Sequence, residues 1–215
     1  LSEDGLRNFD GIIFSNHELE TLPVLEGRFN VTAKADDAAV ILFTSGSTGK
    51  PKGCVLEHHG IVNYAHWYKK EMEMNEKDVV AGYANFGFDA HMIDIYPTLL
   101  SGAMVHILTE EVRMDFEALN GYINDNGLTI GFFTTQIGCQ IASLFPDNHL
   151  RTMSVGGEKM PPTKQTAYTL YNGYGPTECS LFSTCYKVIG DYDGVKSIIG
   201  RPLANYQLYI VDKNN

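Results

Sequence analysis

At 215 residues the chain is long enough to bury a substantial core, and 44% apolar, 20% charged and 11% aromatic residues make an ordinary globular composition. A formal net charge of −10 argues against nucleic acid or an anionic membrane as the main partner, since both attract basic surfaces. No apolar run of about 18 residues marks a membrane span, no signal-peptide pattern is present, and four cysteines without a CxxC pair fit a reducing, cytoplasmic setting.

Residues 1–37 are mixed, with a short strand predicted at 11–14 and an acidic, turn-prone stretch around Pro23, Asp36 and Asp37. From Ala38 onward apolar runs alternate with amphipathic segments. In chain order the pattern predicts a strand at 39–44, a helix at 60–72, a strand at 79–84 and a helix at 90–101, which Pro97 should kink or break. A strand at 104–108, a helix at 115–124, a strand at 129–133 and a helix at 135–144 follow. The series closes with a strand at 152–155, a helix at 162–168 and a strand at 207–211. This alternation predicts an α/β fold of layered sheets with parallel strands and crossover helices. In open α/β sheets ligands lie beyond the carboxyl ends of strands. The loops after Thr44, at 132–136 and at 156–158 are therefore expected to converge on one crevice.

Several features read as structure. The stripe Tyr64, Trp67, Tyr68 has the spacing of a core or subunit face, and Glu110-Glu111 that of a solvated edge. Cys54, Cys139, Cys179 and Cys185 read as small core residues. The seven histidines show no metal-ligand spacing.

One run carries more chemistry. Thr44-Ser45-Gly46-Ser47-Thr48-Gly49-Lys50-Pro51-Lys52-Gly53 puts hydroxyls, glycines and two lysines directly behind an apolar strand. Glycines let backbone N–H groups approach an anion, hydroxyls donate further hydrogen bonds, and lysine adds compact charge. The spacing is not that of a Walker A loop, and the same composition suits a plain turn.

Ser45-Gly46-Ser47-Thr48-Gly49-Lys50-Pro51-Lys52-Gly53 resembles the phosphate loop of adenylate-forming enzymes, and Asn172-Gly173-Tyr174-Gly175-Pro176-Thr177-Glu178 resembles their second signature. Both motifs occur in the family's order and at about its separation. Together with Asp89-Ala90, they look most like an amino-acid adenylation domain of a nonribosomal peptide synthetase. The resemblance implies Mg-ATP as cosubstrate. It implies that Thr44, Ser45, Gly46, Ser47, Thr48, Gly49, Lys50 and Lys52 grip the β- and γ-phosphates. Gly156, Gly157 and Glu158 would lie against the adenine, Asn172 would read its amino group, and Tyr174 would stack on the base between Gly173 and Gly175. Thr177 would bond the α-phosphate region, and Glu178 would coordinate Mg²⁺. Thr44, Lys50 and Glu178 would thus serve the chemical step. Arg201, in Ile199-Gly200-Arg201-Pro202-Leu203, suits a structural role as readily as a functional one.

Asp89, by composition a helix N-cap, would by resemblance hold the α-ammonium of the substrate amino acid. Ala90, Ile93, Phe132, Ser154, Gly156, Gly173, Leu181 and Phe182 would line its side chain. That apolar set, without a second charge, favours an uncharged, hydrophobic amino acid. The aminoacyl-AMP would pass to the phosphopantetheine thiol of a peptidyl carrier protein. Related alternatives are a D-alanine–carrier protein ligase, which Asp94-Ile95-Tyr96-Pro97 resembles, an acyl-CoA synthetase-like enzyme, or a non-catalytic nucleotide-binding module.

The family organisation would make residues 1–37 an edge segment, 38–200 the AMP-binding and substrate subdomain, and 201–215 the start of a further β subdomain. The family's ribose-binding Asp motif and lysine-bearing C-terminal domain have no counterpart in these residues. The 215-residue piece alone is therefore expected to adenylate poorly.

Overall fold

The computed structural model describes residue 21, residues 31–44 and residues 50–212. It divides into two compact units, Leu1–Ala33 and Lys34–Asn215. The strand expected at 11–14 and residues Ser45 to Gly49 lie outside the described residues.

In the second unit β1 (Ala38–Thr44) and β2 (Lys52–Glu57) form an antiparallel two-stranded ribbon in which Thr44 pairs with Lys52. The strand that precedes the hydroxyl run, β1, thus lies in an antiparallel ribbon outside the main sheet. This corrects the expectation that the run follows a strand of the parallel sheet. The strand β2 was missed because Lys52-Gly53-Cys54 carries no apolar alternation.

The main sheet has the order β4-β3-β5-β6-β7-β8-β9. Its strands β3 (Val79–Gly82), β4 (Met104–Ile107), β5 (Ile130–Thr134), β6 (Thr152–Gly156) and β7 (Thr169–Tyr174) run parallel. β8 (Thr184–Lys187) and β9 (Arg201–Pro202) continue it antiparallel. Such a sheet is covered on both faces, so its central strands read as near-continuous apolar runs. β5 and β6 are buried accordingly.

The period-2 alternation then sorts side chains between two cores. Ile130, Phe132 and Tyr171 face Leu56, α1 (His58–Glu71) and α2 (His91–Ser101). Phe133, Met153 and Val155 face the other side, against α4 (Phe116–Asp125) and α5 (Thr135–Leu144). The short α3 (Glu110–Met114) precedes α4, with Glu110 and Glu111 exposed. Tyr64 and Tyr68 are fully buried in the first core, as the aromatic spacing predicts.

Three expected elements differ. The helix at 162–168 is absent: Thr163 pairs instead with Tyr192 in an isolated bridge, a contact 29 residues away that the local pattern does not show. Gln207 to Val211 form no strand. The break expected at Pro97 does not occur. α2 runs through it, and the hydroxyls of Thr98 and Ser101 bond the carbonyls of Asp94 and Pro97 in the adjacent turns. All four cysteines are free thiols, but Cys179 is exposed rather than in the core. Among the described residues no helix is long and apolar enough to cross a membrane.

Candidate functional site

The carboxyl ends of β3, β5, β6 and β7 open into one cavity of about 390 Å³. Tyr83, Ala84 and Asn85 leave β3, Thr134 ends β5, Gly156 and Gly157 end β6, and Gly175 leaves β7. Its walls include Ala90, Ile93, Phe132, Leu181 and Phe182, all expected from sequence, together with Asp89. Phe182 stands edge-on to Phe132, with ring centroids 5.8 Å apart.

Two expected wall residues lie elsewhere. Ser154 is fully buried behind the cavity, where its hydroxyl meets the Tyr68 hydroxyl at 2.7 Å. Gly173 lies beneath Phe182, whose ring covers it. Ser154 shares the α1–α2 face with its register partner Phe132, but its hydroxyl is taken by Tyr68.

Asp89 is not a helix N-cap. The residue at that position of α2 is Ala90, without a side-chain cap, whereas Asp89 Oδ2 accepts the Thr177 hydroxyl at 2.7 Å. That contact spans 88 residues and brings the end of the β3 loop to the start of the 3-10 turn Thr177–Cys179. His91 is held on Phe88, its Nδ1 donating to the carbonyl at 2.6 Å.

A second depression of about 360 Å³ adjoins the first, and Gly157 and Gly175 line both. Glu158, Asn172, Gly173 and Tyr174 also line it, with Ser197 and Ile199 from the segment before β9. The motif Asn172-Gly173-Tyr174 is thus the end of strand β7 rather than a turn. Asn172 is 5% exposed, and its Nδ2 donates to the Ile198 carbonyl at 3.0 Å. Its Oδ1 is buried and has no hydrogen-bond partner among the described residues. Tyr174 presents an exposed ring.

The loop at 156–158 is fixed by Thr135, whose hydroxyl donates to the Glu158 carbonyl at 3.2 Å. Gly157 sits at φ 103°, where a side chain would be strained. On the other rim Ser180 and Leu181 take φ of 57° and 79° without being glycine, a conformation that costs free energy. The close fit of Gly175 against the Leu181 carbonyl holds that turn.

The remaining expected residues are more peripheral. Thr44 is half-buried, and Lys50 and Lys52 are exposed beside the hairpin. Glu178 faces a separate surface depression with His59, Asn63 and Tyr206. Its exposed carboxylate is a hard oxygen donor of the kind Mg²⁺ uses alongside phosphate oxygens and water. Folding also brings Asp36, Glu57 and His59 together on the surface, which histidine spacing did not foretell.

Sequence reasoning missed Arg113, Tyr83, Phe88 and Thr134 in the first cavity. Arg113 lies in α3, just beyond the carboxyl end of β4, and its guanidinium overlies the Tyr83 ring at 5.1 Å. The only available signal was that position past a parallel strand end; nothing in Glu-Glu-Val-Arg-Met itself marks a site.

The family model for AMP-binding enzymes matches residues 8–215. Among curated proteins the chain is 37% identical over 182 residues to bacitracin synthase 1 of Bacillus licheniformis, covering 84% of the chain and 3% of that protein. It is 32% identical over 204 residues to gramicidin S synthase 1 of Brevibacillus brevis, covering 92% of the chain and 18% of that protein. The chain thus spans a small part of these relatives. Among solved structures, the Klebsiella oxytoca NpsA N-terminal subdomain in complex with anthranilyl-AMSN superposes with a TM-score of 0.70 at 25% identity. That match covers 88% of the chain and 51% of the neighbour. The nonribosomal peptide synthetase FmoA3, bound to α-methyl-L-serine-AMP, shares the fold with a TM-score of 0.74 at 23% identity, covering 84% and 22%.

Proposed function

Because the chain belongs to the family of AMP-binding enzymes, we propose that it is the substrate- and nucleotide-binding part of an amino-acid adenylation domain. The observation that carries this reading is the pair of adjoining cavities. One is largely apolar and holds the Asp89 carboxylate. The other is lined by the Asn172 amide and by the exposed ring of Tyr174. They meet at Gly157 and Gly175, where the aminoacyl and adenylate halves of one product would join.

In the proposed reaction the substrate carboxylate attacks the α-phosphorus of ATP, expelling pyrophosphate and leaving an aminoacyl-AMP. Asp89 pairs with the α-ammonium, and a charge-assisted contact away from bulk water fixes the amino acid's orientation. Thr177 gives its single hydroxyl proton to Asp89 in this structure, so donating to the α-phosphate requires it to leave Asp89, and amine and phosphate recognition compete for one hydroxyl. Asn172 Oδ1 accepts from the adenine amino group, and the Tyr174 ring stacks on the base. The hydroxyl loop, Thr44, Lys50 and Lys52 hold the β- and γ-phosphates. Glu178 is the proposed ligand of Mg²⁺, which when bound neutralises phosphate charge. Transfer to a carrier-protein phosphopantetheine thiol completes the reading, with residues 38–200 as the catalytic subdomain and 201–215 entering a further one. The walls around Ala90, Ile93, Phe132 and Leu181 suit an apolar side-chain stem. Arg113 adds a charge that the sequence-based lining lacked.

The test is amino-acid-dependent ATP–pyrophosphate exchange by the whole protein that carries these residues, across the standard amino acids. Signal for one amino acid is expected, with Asp89→Ala lowering kcat/KM about 30-fold or more, the equivalent of about 2 kcal/mol. ATP binding without exchange for any amino acid would favour a non-catalytic nucleotide-binding module.

A further inference from the structure

We propose that Arg113 selects the substrate side chain, and that this side chain ends in a carboxylate. Arg113 lines the cavity that also holds Asp89, yet no ion pair or hydrogen bond among the described residues engages its guanidinium. Its Nε is buried without a partner. A buried, unpaired guanidinium N–H costs free energy that an incoming acceptor relieves, and a carboxylate matches the guanidinium fork in shape and charge.

One internal candidate for that role is Asp94, a buried carboxyl whose ionisation the Arg113 charge eases. It is already committed elsewhere: its Oδ2 accepts the Ala84 N–H at 3.0 Å. Burial pushes the Asp94 carboxyl well above its ordinary range against the pull of the Ala84 and Tyr83 backbone groups and of Arg113, and among the described residues no ion pair joins it to Arg113. Tyr83 holds the cation in place from below: the ring lies 5.1 Å from the guanidinium carbon, and the Tyr83 hydroxyl donates to the Arg113 carbonyl at 3.3 Å.

The strand order separates the two charges usefully. Arg113 follows β4 at one side of the sheet, while Thr177, which follows β7 with β3, β5 and β6 between, holds Asp89 from the other. An amino acid lying across the cavity would meet a carboxylate at its ammonium and a guanidinium at its far end. Its stem would pass Ile93, Phe132 and Phe182. This replaces the expectation of an uncharged side chain, which rested on a lining without a second charge.

The assignment depends on the cavity being the amino-acid site proposed above, and the two are tested separately. Exchange is measured in the whole protein for glutamate, aspartate, glutamine, asparagine, leucine and valine, and binding is measured calorimetrically with glutamyl-, glutaminyl- and leucyl-sulfamoyladenosine. The unmodified protein is expected to prefer an acidic amino acid over its amide. Arg113→Ala should remove that preference, raising KM for the acid about 10- to 100-fold with kcat little changed. Arg113→Lys should keep part of it, and Arg113→Glu should shift acceptance toward lysine-type side chains. Preference for leucine or valine, unaltered by Arg113→Ala, would overturn the assignment while leaving adenylation intact. So would an equal loss for every amino acid with a lowered melting temperature, or normal exchange with slowed loading of the carrier. Failure of all three analogues to bind would instead overturn the amino-acid site itself, and the assignment with it.

Discussion

Gly173 is a residue whose identity is decided by its neighbour across the β7–β8 turn. A Cβ built on it would lie 2.2 Å from Phe182 ring carbons, well inside contact distance. The ring is the end of a side chain and can yield, but only toward Phe132 or into the cavity. Gly173→Ala is therefore expected to shrink the space for the substrate side chain, moving amino-acid preference in the exchange assay toward smaller members. The accompanying loss of thermal stability should be about 1–3 kcal/mol. From sequence Gly173 read as a wall residue. Its influence on the wall through Phe182 depends on a ring position that the motif does not encode.

At the scale of elements, the site hangs on how β7 hands over to the 3-10 turn and β8. A Cβ at Gly175 would lie 1.8 Å from the Leu181 carbonyl oxygen and 2.7 Å from the Ser183 nitrogen, both backbone atoms that no rotamer change can move. The Ser183 N–H bonds the Tyr174 carbonyl at 2.7 Å and closes that turn. Gly175→Ala should open it, displacing Thr177 from Asp89. Exchange should fall below detection, and thermal unfolding should shift down by more than Gly173→Ala causes. A variant that melts normally and retains exchange would show that the turn tolerates reorganisation. Strands β3 to β6 and the helices α2, α4 and α5 between them were legible because apolar periodicity is a local signal, whereas the short α3 was not. β7 was hidden: Asn-Gly-Tyr-Gly-Pro reads as a turn, and only pairing with β6 makes Asn172 and Gly173 strand residues.

At the scale of the whole molecule, the pole of the sheet opposite the site is clamped by Arg151 and Asp78. Arg151 Nε and Nη2 each donate to the Asp78 carboxylate at 2.8 Å, and Nη1 donates to the Met72 carbonyl at 2.7 Å. Thr129 Oγ1 also donates to Asp78 at 2.8 Å, so the starts of β3, β5 and β6 meet at one carboxylate and Arg151 ties in the end of α1. Burial by itself would raise the Asp78 carboxyl, but the hydrogen bonds from Arg151, the Asn75 backbone and Thr129 outweigh it and hold it below its ordinary value. A carboxyl lowered on folding stabilises the fold above its unfolded value of about 4. That contribution is lost as pH falls through the lower folded value. Asp78→Asn should cost about 2–3 kcal/mol at neutral pH, less than a fully enclosed pair because Arg151 is partly exposed. In thermal unfolding followed against pH, the gap between the parent and this variant should close in acid, below about pH 4. A gap that stays constant into acid would show that Asp78 acts through shape rather than charge.

The sequence by itself determined the α/β character, the two signature motifs, the Asp89-Ala90 pair and the buried aromatic stripe. Each depends on residue type at short spacing, which the chain displays directly. Only the tertiary structure decided that β1 pairs with β2 outside the parallel sheet, that Asp89 binds Thr177 rather than capping a helix, and that Ser154 turns to Tyr68. It alone brought Arg113 to the cavity wall. These facts join residues tens of positions apart, and strand order and packing, which no local pattern records, place them together.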